Sequence, residues 1–206
     1  MRIAAIIPVG PLEGAKTRLG GMLDAEERHD LVTRLLARTV DAALAVERLD
    51  DLLVISPDRE VLTRAAERGA RTLRQRSRGL NHGVRDGRAD ALAGGADTVV
   101  VLPTDLPFVT PESIDALLDA LPADGAPAVV IVPDRHGTGT NALVLRPPEV
   151  IDVAFGPSSR DAHRSRAEAA GVAVVELPDS PLSVDLDTPD DLMLVERTAP
   201  ERIGVA

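Results

Sequence analysis

Short apolar runs alternate with longer amphipathic stretches along most of the chain. Arg2–Val9 is apolar and closes on Pro8 and Gly10, the pattern of a buried strand. Asp24–Val46 sets Leu31, Leu35, Ala42 and Val46 at helical spacing, and Asp24 with Glu27 three positions on forms a capping-box signature. Leu52–Ser56 predicts a second strand, Asp58–Arg68 a helix stopped by Gly69, and Arg71–Leu73 a short third strand. A helix over Asn81–Ala93 ends at Gly94-Gly95. Thr98–Leu102 is the most continuous β-branched run, which predicts a central strand. Thr110–Leu121 reads as a helix, with Thr110 as cap, Pro111 in first position and Glu112 in the first turn.

The second half is less regular. Ala128–Val132 and Asn141–Leu145 are strand-like and flank a Gly-rich loop, Asp134–Thr140. Ser158–Ala170 predicts a helix, Val172–Leu177 a strand, Val184–Leu186 a very short strand, and Thr188–Glu196 a closing helix begun by Pro189. Two neighbouring strands inside an otherwise βα-alternating chain predict a mixed, mostly parallel central sheet with helices on both faces. The expected fold is α/β: a single domain over residues 1–206, built as a Rossmann-like three-layer sandwich.

Composition narrows the chemistry. The chain has no Cys, which excludes a disulfide framework, a thiolate metal site and a Cys nucleophile. Its 33 acidic residues against 23 basic ones give a net charge of −10, opposed to general nucleic-acid binding. Two aromatics, Phe108 and Phe155, are too few for a base-stacking platform. The longest apolar runs, such as Ala4–Val9 and Val99–Leu102, fall far short of the ~20 residues of a membrane span. Arg2 leads straight into the first strand with no leader-like segment. The expectation is a cytoplasmic protein with neither a nucleic-acid nor a membrane partner; a homodimer is compatible with the sequence, which carries no signal on oligomeric state. Among the 23 basic residues the only Lys is Lys16, a compact charge in a chain that otherwise uses Arg.

Three segments carry candidate chemistry. Gly10-Pro-Leu-Glu-Gly-Ala-Lys-Thr17 approaches the phosphate-loop pattern G-x-x-x-x-G-K-[ST]. Ala15 replaces its second glycine, and Arg18-Leu19-Gly20-Gly21 interrupts the helix that a P-loop kinase would need there. What remains is Lys16 and Arg18, two apart on a loop at the carboxyl end of a strand, where open α/β sheets bind ligands. Two cations suit a polyphosphate; a solvated basic turn is the plainer alternative. Next, a buried strand delivers Asp105 to its carboxyl end between Pro103 and Pro107, a place where acidic residues hold Mg²⁺ against phosphates or merely cap a turn. Finally, Asp185 and Asp187 share a face if their segment is extended, although Asp187 also stands where it could cap the last helix.

Together, Gly10…Lys16-Thr-Arg-Leu19, Gly79-Leu-Asn81, Pro103-Thr-Asp-Leu-Pro107 and Asp185-Leu-Asp-Thr-Pro-Asp-Asp-Leu192 resemble the GT-A-type nucleotidyltransferases. Gly137-Thr-Gly-Thr-Asn-Ala-Leu143 and Phe155-Gly-Pro-Ser-Ser-Arg-Asp-Ala-His163 resemble, within that group, the guanylyltransferases of coenzyme F420 biosynthesis. The match spans nearly the whole chain in order; it departs from the wider group in placing the two loop cations in reverse.

The resemblance implies an enzyme that moves GMP from GTP to the phosphate of phosphoenolpyruvate, with 2-phospho-L-lactate or 3-phosphoglycerate as alternative acceptors. The Arg-rich, Lys-poor composition looks like that of a GC-rich bacterium, an association that favours phosphoenolpyruvate. Lys16, Arg18 and Asp105 would be catalytic. Gly10, Lys16, Arg18, Gly79, Asn81 and Thr104 would bind the nucleotide, with Gly79 and Asn81 at its base. Thr138, Thr140, Gly156, Ser158 and Ser159 would bind the acceptor, and Asp105, Asp187 and Asp185 would hold Mg²⁺, with Mn²⁺ as a substitute. His163 is expected to be structural or substrate-orienting, and Phe155 to pack under its loop. A non-catalytic nucleotide-binding module is the alternative outside enzymes.

Overall fold

The computed structural model describes residues 1–202. Seven strands form one sheet: β1 (Ile3–Pro8), β2 (Asp51–Ser56), β3 (Arg71–Arg74), β4 (Thr98–Val101), β5 (Ala128–Pro133), β6 (Thr140–Arg146) and β7 (Ala173–Glu176). Their order is β3-β2-β1-β4-β6-β5-β7. β6 runs antiparallel to both neighbours, and every other pairing is parallel. The mixed, mostly parallel sheet is thus the one the element pattern predicts, and the reversed strand belongs to the predicted β5–β6 pair.

Among the described residues, six α-helices accompany it: α1 (Ala25–Leu44), α2 (Arg59–Glu67), α3 (Leu80–Ala93), α4 (Pro111–Asp119), α5 (Ser159–Ala169) and α6 (Pro189–Thr198). The alternation along β1 shows how two faces are covered. Ile3, Ala5 and Ile7 pack with Val32, Leu36 and Val40 of α1, Val61 of α2 and Ile114 of α4. Ala4 and Ile6 pack with Val84 and Ala91 of α3 and with Ala167 of α5. Both side-chain sets are apolar because both sheet faces are buried, and each fully buried Ile contributes roughly 1.5–3 kcal/mol. A Cβ at Gly87 would stand 2.7 Å from Ile6 Cγ2, so the close approach of α3 to β1 at this point requires a glycine.

Local capping sets the helix starts. Asp24 accepts from Glu27 N while the Glu27 carboxylate accepts from Asp24 N, the reciprocal box expected at α1. Thr110 pairs with Ser113 at α4, and Thr188 with Asp191 at α6. One expected element is missing: residues 184–186 form no strand. A 3₁₀ turn at Pro181–Ser183 precedes extended chain there, which meets the rest of the fold through Leu186 N donating to Asp105 O at 2.9 Å. Nor does Asp187 cap α6; Thr188 takes that place because its hydroxyl faces Asp191 N.

The chain leaves β1 outward through β2 and β3, then returns to β4 on the other side of β1. The carboxyl ends of β1 and β4 therefore flank a topological switch point, the usual place for a ligand crevice in an open α/β sheet.

Candidate active site

Both switch-point loops bring charge into that crevice. The β1 loop is held by Asp58, which accepts from Leu12 N at 3.0 Å and also caps α2. It then turns through Lys16, whose φ of 51° is left-handed, a conformation costly for a side chain of this kind and worth a functional explanation. A 3₁₀ turn, Thr17–Leu19, follows where a phosphate loop would start an α-helix. The turn aims the Lys16 ammonium at two carboxylates: Asp187 Oδ1 at 2.5 Å and Asp105 Oδ2 at 3.2 Å. Burial works against this ammonium, but the charges of Asp105 and Asp187 and their hydrogen bonds outweigh it, so its pKa is raised. Arg18, by contrast, is exposed and makes no ion pair among the described residues.

Asp185 lies to one side of this cluster. Its carboxylate accepts from Asn141 Nδ2 at 3.4 Å, and Asn141 also donates to Leu182 O at 3.1 Å. Burial raises the Asp185 pKa, and the charge of Asp105 raises it further. Among the described residues no three His, Cys, Asp or Glu side chains form a complete metal cage. Mg²⁺ usually takes one or two carboxylates and completes its shell with phosphate and water. Asp105 and Asp187 fit that habit, since they already converge on one cation; the third expected ligand, Asp185, is turned toward Asn141.

Beside this cluster a cleft of about 650 Å³ opens between the end of β1 and the start of α3. Pro8, Val9, Gly10, Pro11, Pro57 and Leu80 make an apolar wall, with Arg74, Arg76 and Arg78 at its rim. Gln75 shapes the rim segment, its Nε2 donating to Ser77 O and to Gly79 O. Gly79 (φ 100°) forms the N-cap position of α3 and also borders the cleft.

A second group of residues lies beyond β6. Gly156 has φ 127° and Ser158 φ 56°, so the loop entering α5 is left-handed twice. Ser158 is exposed and makes no side-chain cap bond, while Ser159 is buried. Thr138 is held against Asp134, its hydroxyl donating to Oδ2 at 3.2 Å. Its carbonyl accepts from Arg160 N at 3.2 Å, tying the Gly-rich loop to the first turn of α5. The buried Thr140 meets His163 Nδ1 at 3.0 Å.

Residues 3–196 match the protein family described as "Guanylyl transferase CofC like". The chain belongs to that family. It is 44% identical over 200 residues to a phosphoenolpyruvate guanylyltransferase of Sphaerobacter thermophilus, covering 97% of this chain and 95% of the relative. It is 34% identical to a 2-phospho-L-lactate guanylyltransferase of Methanothermobacter thermautotrophicus, covering 93% and 83% respectively. A solved nucleotidyl transferase from a Methanothermobacter shares the fold with a TM-score of 0.70 at 17% identity, over 95% of this chain and 96% of that one.

Within this guanylyl transferase family chain, the residues singled out from sequence separate into groups. Lys16, Asp105 and Asp187 come together. Gly10 and Gly79 face the common cleft, and Thr104 stands half-buried beside Asp105. Asn81 is engaged elsewhere: its Nδ2 donates to Phe155 O at 2.9 Å and its Oδ1 accepts from Phe155 N at 2.7 Å. The amide expected at the base thus has one N–H and one oxygen lone pair engaged by the Phe155 backbone.

Sequence reading passed over two features. The Arg74-x-Arg76-x-Arg78 spacing was a visible signal for the cleft rim. Arg135 was not signalled: it pairs with the buried Asp191 at 2.6 Å, and Asp191 Oδ2 also accepts from Asp187 N and Thr188 N. Burial resists that carboxylate's charge, but the bonds from Thr188 and Asp187 and the Arg135 charge hold its pKa low.

Proposed function

We propose that this chain transfers GMP from GTP to the phosphate of phosphoenolpyruvate, releasing pyrophosphate, in coenzyme F420 biosynthesis. The observation that carries the reading is Lys16 bridging Asp105 and Asp187 at the switch point of the sheet. The 44% identity to a phosphoenolpyruvate guanylyltransferase supports the choice of acceptor.

In this reading the purine rests on the apolar wall formed by Pro11, Pro57 and Leu80. Lys16 and Arg18, with Arg76 and Arg78 at the rim, hold the triphosphate. The acceptor meets Thr138, Thr140, Gly156 and Ser158 at the start of α5, where the positive end of the helix dipole favours an anion. An acceptor phosphate oxygen attacks the α-phosphorus in line. One P–O bond forms, the bond to the bridging α,β oxygen breaks, and its electron pair leaves with pyrophosphate. A phosphate monoester loses its second proton near pH ~6, so the nucleophile is already a dianion and no side chain need act as base. The protein's work is to bring two polyanions together in one orientation. Asp105 and Asp187 would hold Mg²⁺ or Mn²⁺, which supplies countercharge to the phosphates when bound.

The test is pyrophosphate release from GTP with each phosphorylated three-carbon acid in turn. Release with phosphoenolpyruvate and little with the others is expected. Preference for 2-phospho-L-lactate would give the chain the acceptor named for its Methanothermobacter relative. Tight GTP binding without release under any acid would reduce it to a nucleotide-binding module.

A further inference from the structure

The loop before α5 has two anchors of different origin. One lies inside the half of the sheet that would hold the acceptor. Ala154 N donates to His163 Nε2 at 2.9 Å, which leaves the ring proton on Nδ1, facing Thr140 Oγ1. The Phe155 ring stands edge-on to the same imidazole, centroids 5.1 Å apart. The other anchor comes from across the site. Asn81, in the first turn of α3, grips both the N–H and the C=O of Phe155. That same first turn borders the cleft through Gly79 and Leu80. Phe155 is followed directly by Gly156-Pro157-Ser158, the left-handed segment on the acceptor side.

We propose that Asn81 is a positioning residue that couples the two substrate sites: a nucleotide seated against the start of α3 fixes, through the Asn81–Phe155 clasp, the loop that receives the phosphorylated acid. The proposal rests on the guanylyl-transfer reading above. The clasp suits the task because donor and acceptor are both matched to the main chain of one residue, Phe155, and so engage the peptide groups on either side of it. A base-reading amide needs its donor and acceptor in the open cleft; the residues lining the cleft end at Leu80, and Asn81 meets Phe155 instead. Coupling of this kind commonly changes the second ligand's affinity by about 5–150-fold.

Two variants and three measurements decide it. Asn81→Ala removes the clasp, and Asn81→Asp keeps the acceptor for Phe155 N while losing the donor. The measurements are GTP affinity by calorimetry, phosphoenolpyruvate KM at saturating GTP, and amide hydrogen exchange at residues 154–159 with and without GTP. GTP affinity should stay within about threefold in both variants. The acceptor KM should rise at least about tenfold in Asn81→Ala and less in Asn81→Asp. In the wild-type chain GTP should slow exchange across 154–159, and this protection should vanish in Asn81→Ala. A loss of GTP affinity with an unchanged acceptor KM would make Asn81 a base contact and overturn the proposal. So would GTP-dependent protection that survives in Asn81→Ala. Should the wild-type chain bind GTP yet release no pyrophosphate with any acid, guanylyl transfer fails, and the exchange measurement alone still decides the clasp.

Discussion

Lys16 bridges the two aspartates, and that gives the site's residues distinct tasks. Without the ammonium, two carboxylates pointed at one place would repel and spread apart. Asp105→Asn removes one negative charge from the pair, so turnover should fall at least about a hundredfold, with partial recovery when Mn²⁺ replaces Mg²⁺. Near-normal turnover at ordinary Mg²⁺ would remove Asp105 from the phosphate chemistry. Lys16→Arg keeps the charge but substitutes a planar fork for a compact ammonium held at 2.5 and 3.2 Å from its partners. GTP use, measured as kcat/KM, should drop about tenfold or more; an unchanged value would show that any cation serves. At this scale much was legible: the isolated Lys in an Arg-rich chain and the Pro-Thr-Asp-Leu-Pro turn both stood out. The bond from Asn81 to Phe155 was not legible, because its partner lies 74 residues away and an amide's chemistry does not say which backbone it will meet.

Among the elements, the start of α5 separates two serines that look equivalent in the sequence. Ser159 is 1% exposed, so a carboxylate there would have to be buried, whereas Ser158 is exposed and left-handed, a conformation that Asp tolerates. Ser158→Asp should therefore fold normally and place a negative charge where the acceptor phosphate is proposed to sit. The acceptor KM should climb at least about tenfold while GTP binding by calorimetry is unmoved. An unchanged KM would shift the phosphate toward Thr138 and Thr140. Helix starts were readable here because caps are local: Asp24 with Glu27, Thr110 with Pro111, and Thr188 with Pro189 each lie within a few residues. The 184–186 segment was not, since an extended stretch becomes a strand only when a neighbour pairs with it, and pairing is a property of distant chain.

At the scale of the whole molecule, the buried His163 makes stability depend on pH. Burial is the main cause, with the nearby Arg166 charge, of a pKa lowered from 6.5 to about 4. An unfolded chain takes up a proton below pH 6.5 that the folded one refuses. Stability should thus decline as pH falls through 6.5 and level off below about 4, a loss of about 3 kcal/mol in all. Urea unfolding at pH 7 and pH 4.5 checks this: the loss on acidification should shrink in His163→Gln, and equal losses would assign it to other groups. The sheet itself was largely legible from alternating strands and helices, including the reversed pair, although its order across β4 and β6 was not. That junction has a consequence for descent. It is made of main-chain pairs, Val99 with Leu145, Val100 with Val144 and Val101 with Leu143, whose side chains are all buried in the core shared with β1 and β5, so the frame rests on apolar packing and not on any charged group. Substitutions on the exposed loops beyond β6 that leave this packing intact can therefore accumulate without disturbing the residues gathered at the ends of β1 and β4. A lineage could exchange one phosphorylated acid for another in small, individually viable steps, keeping its nucleotide chemistry as an inheritance.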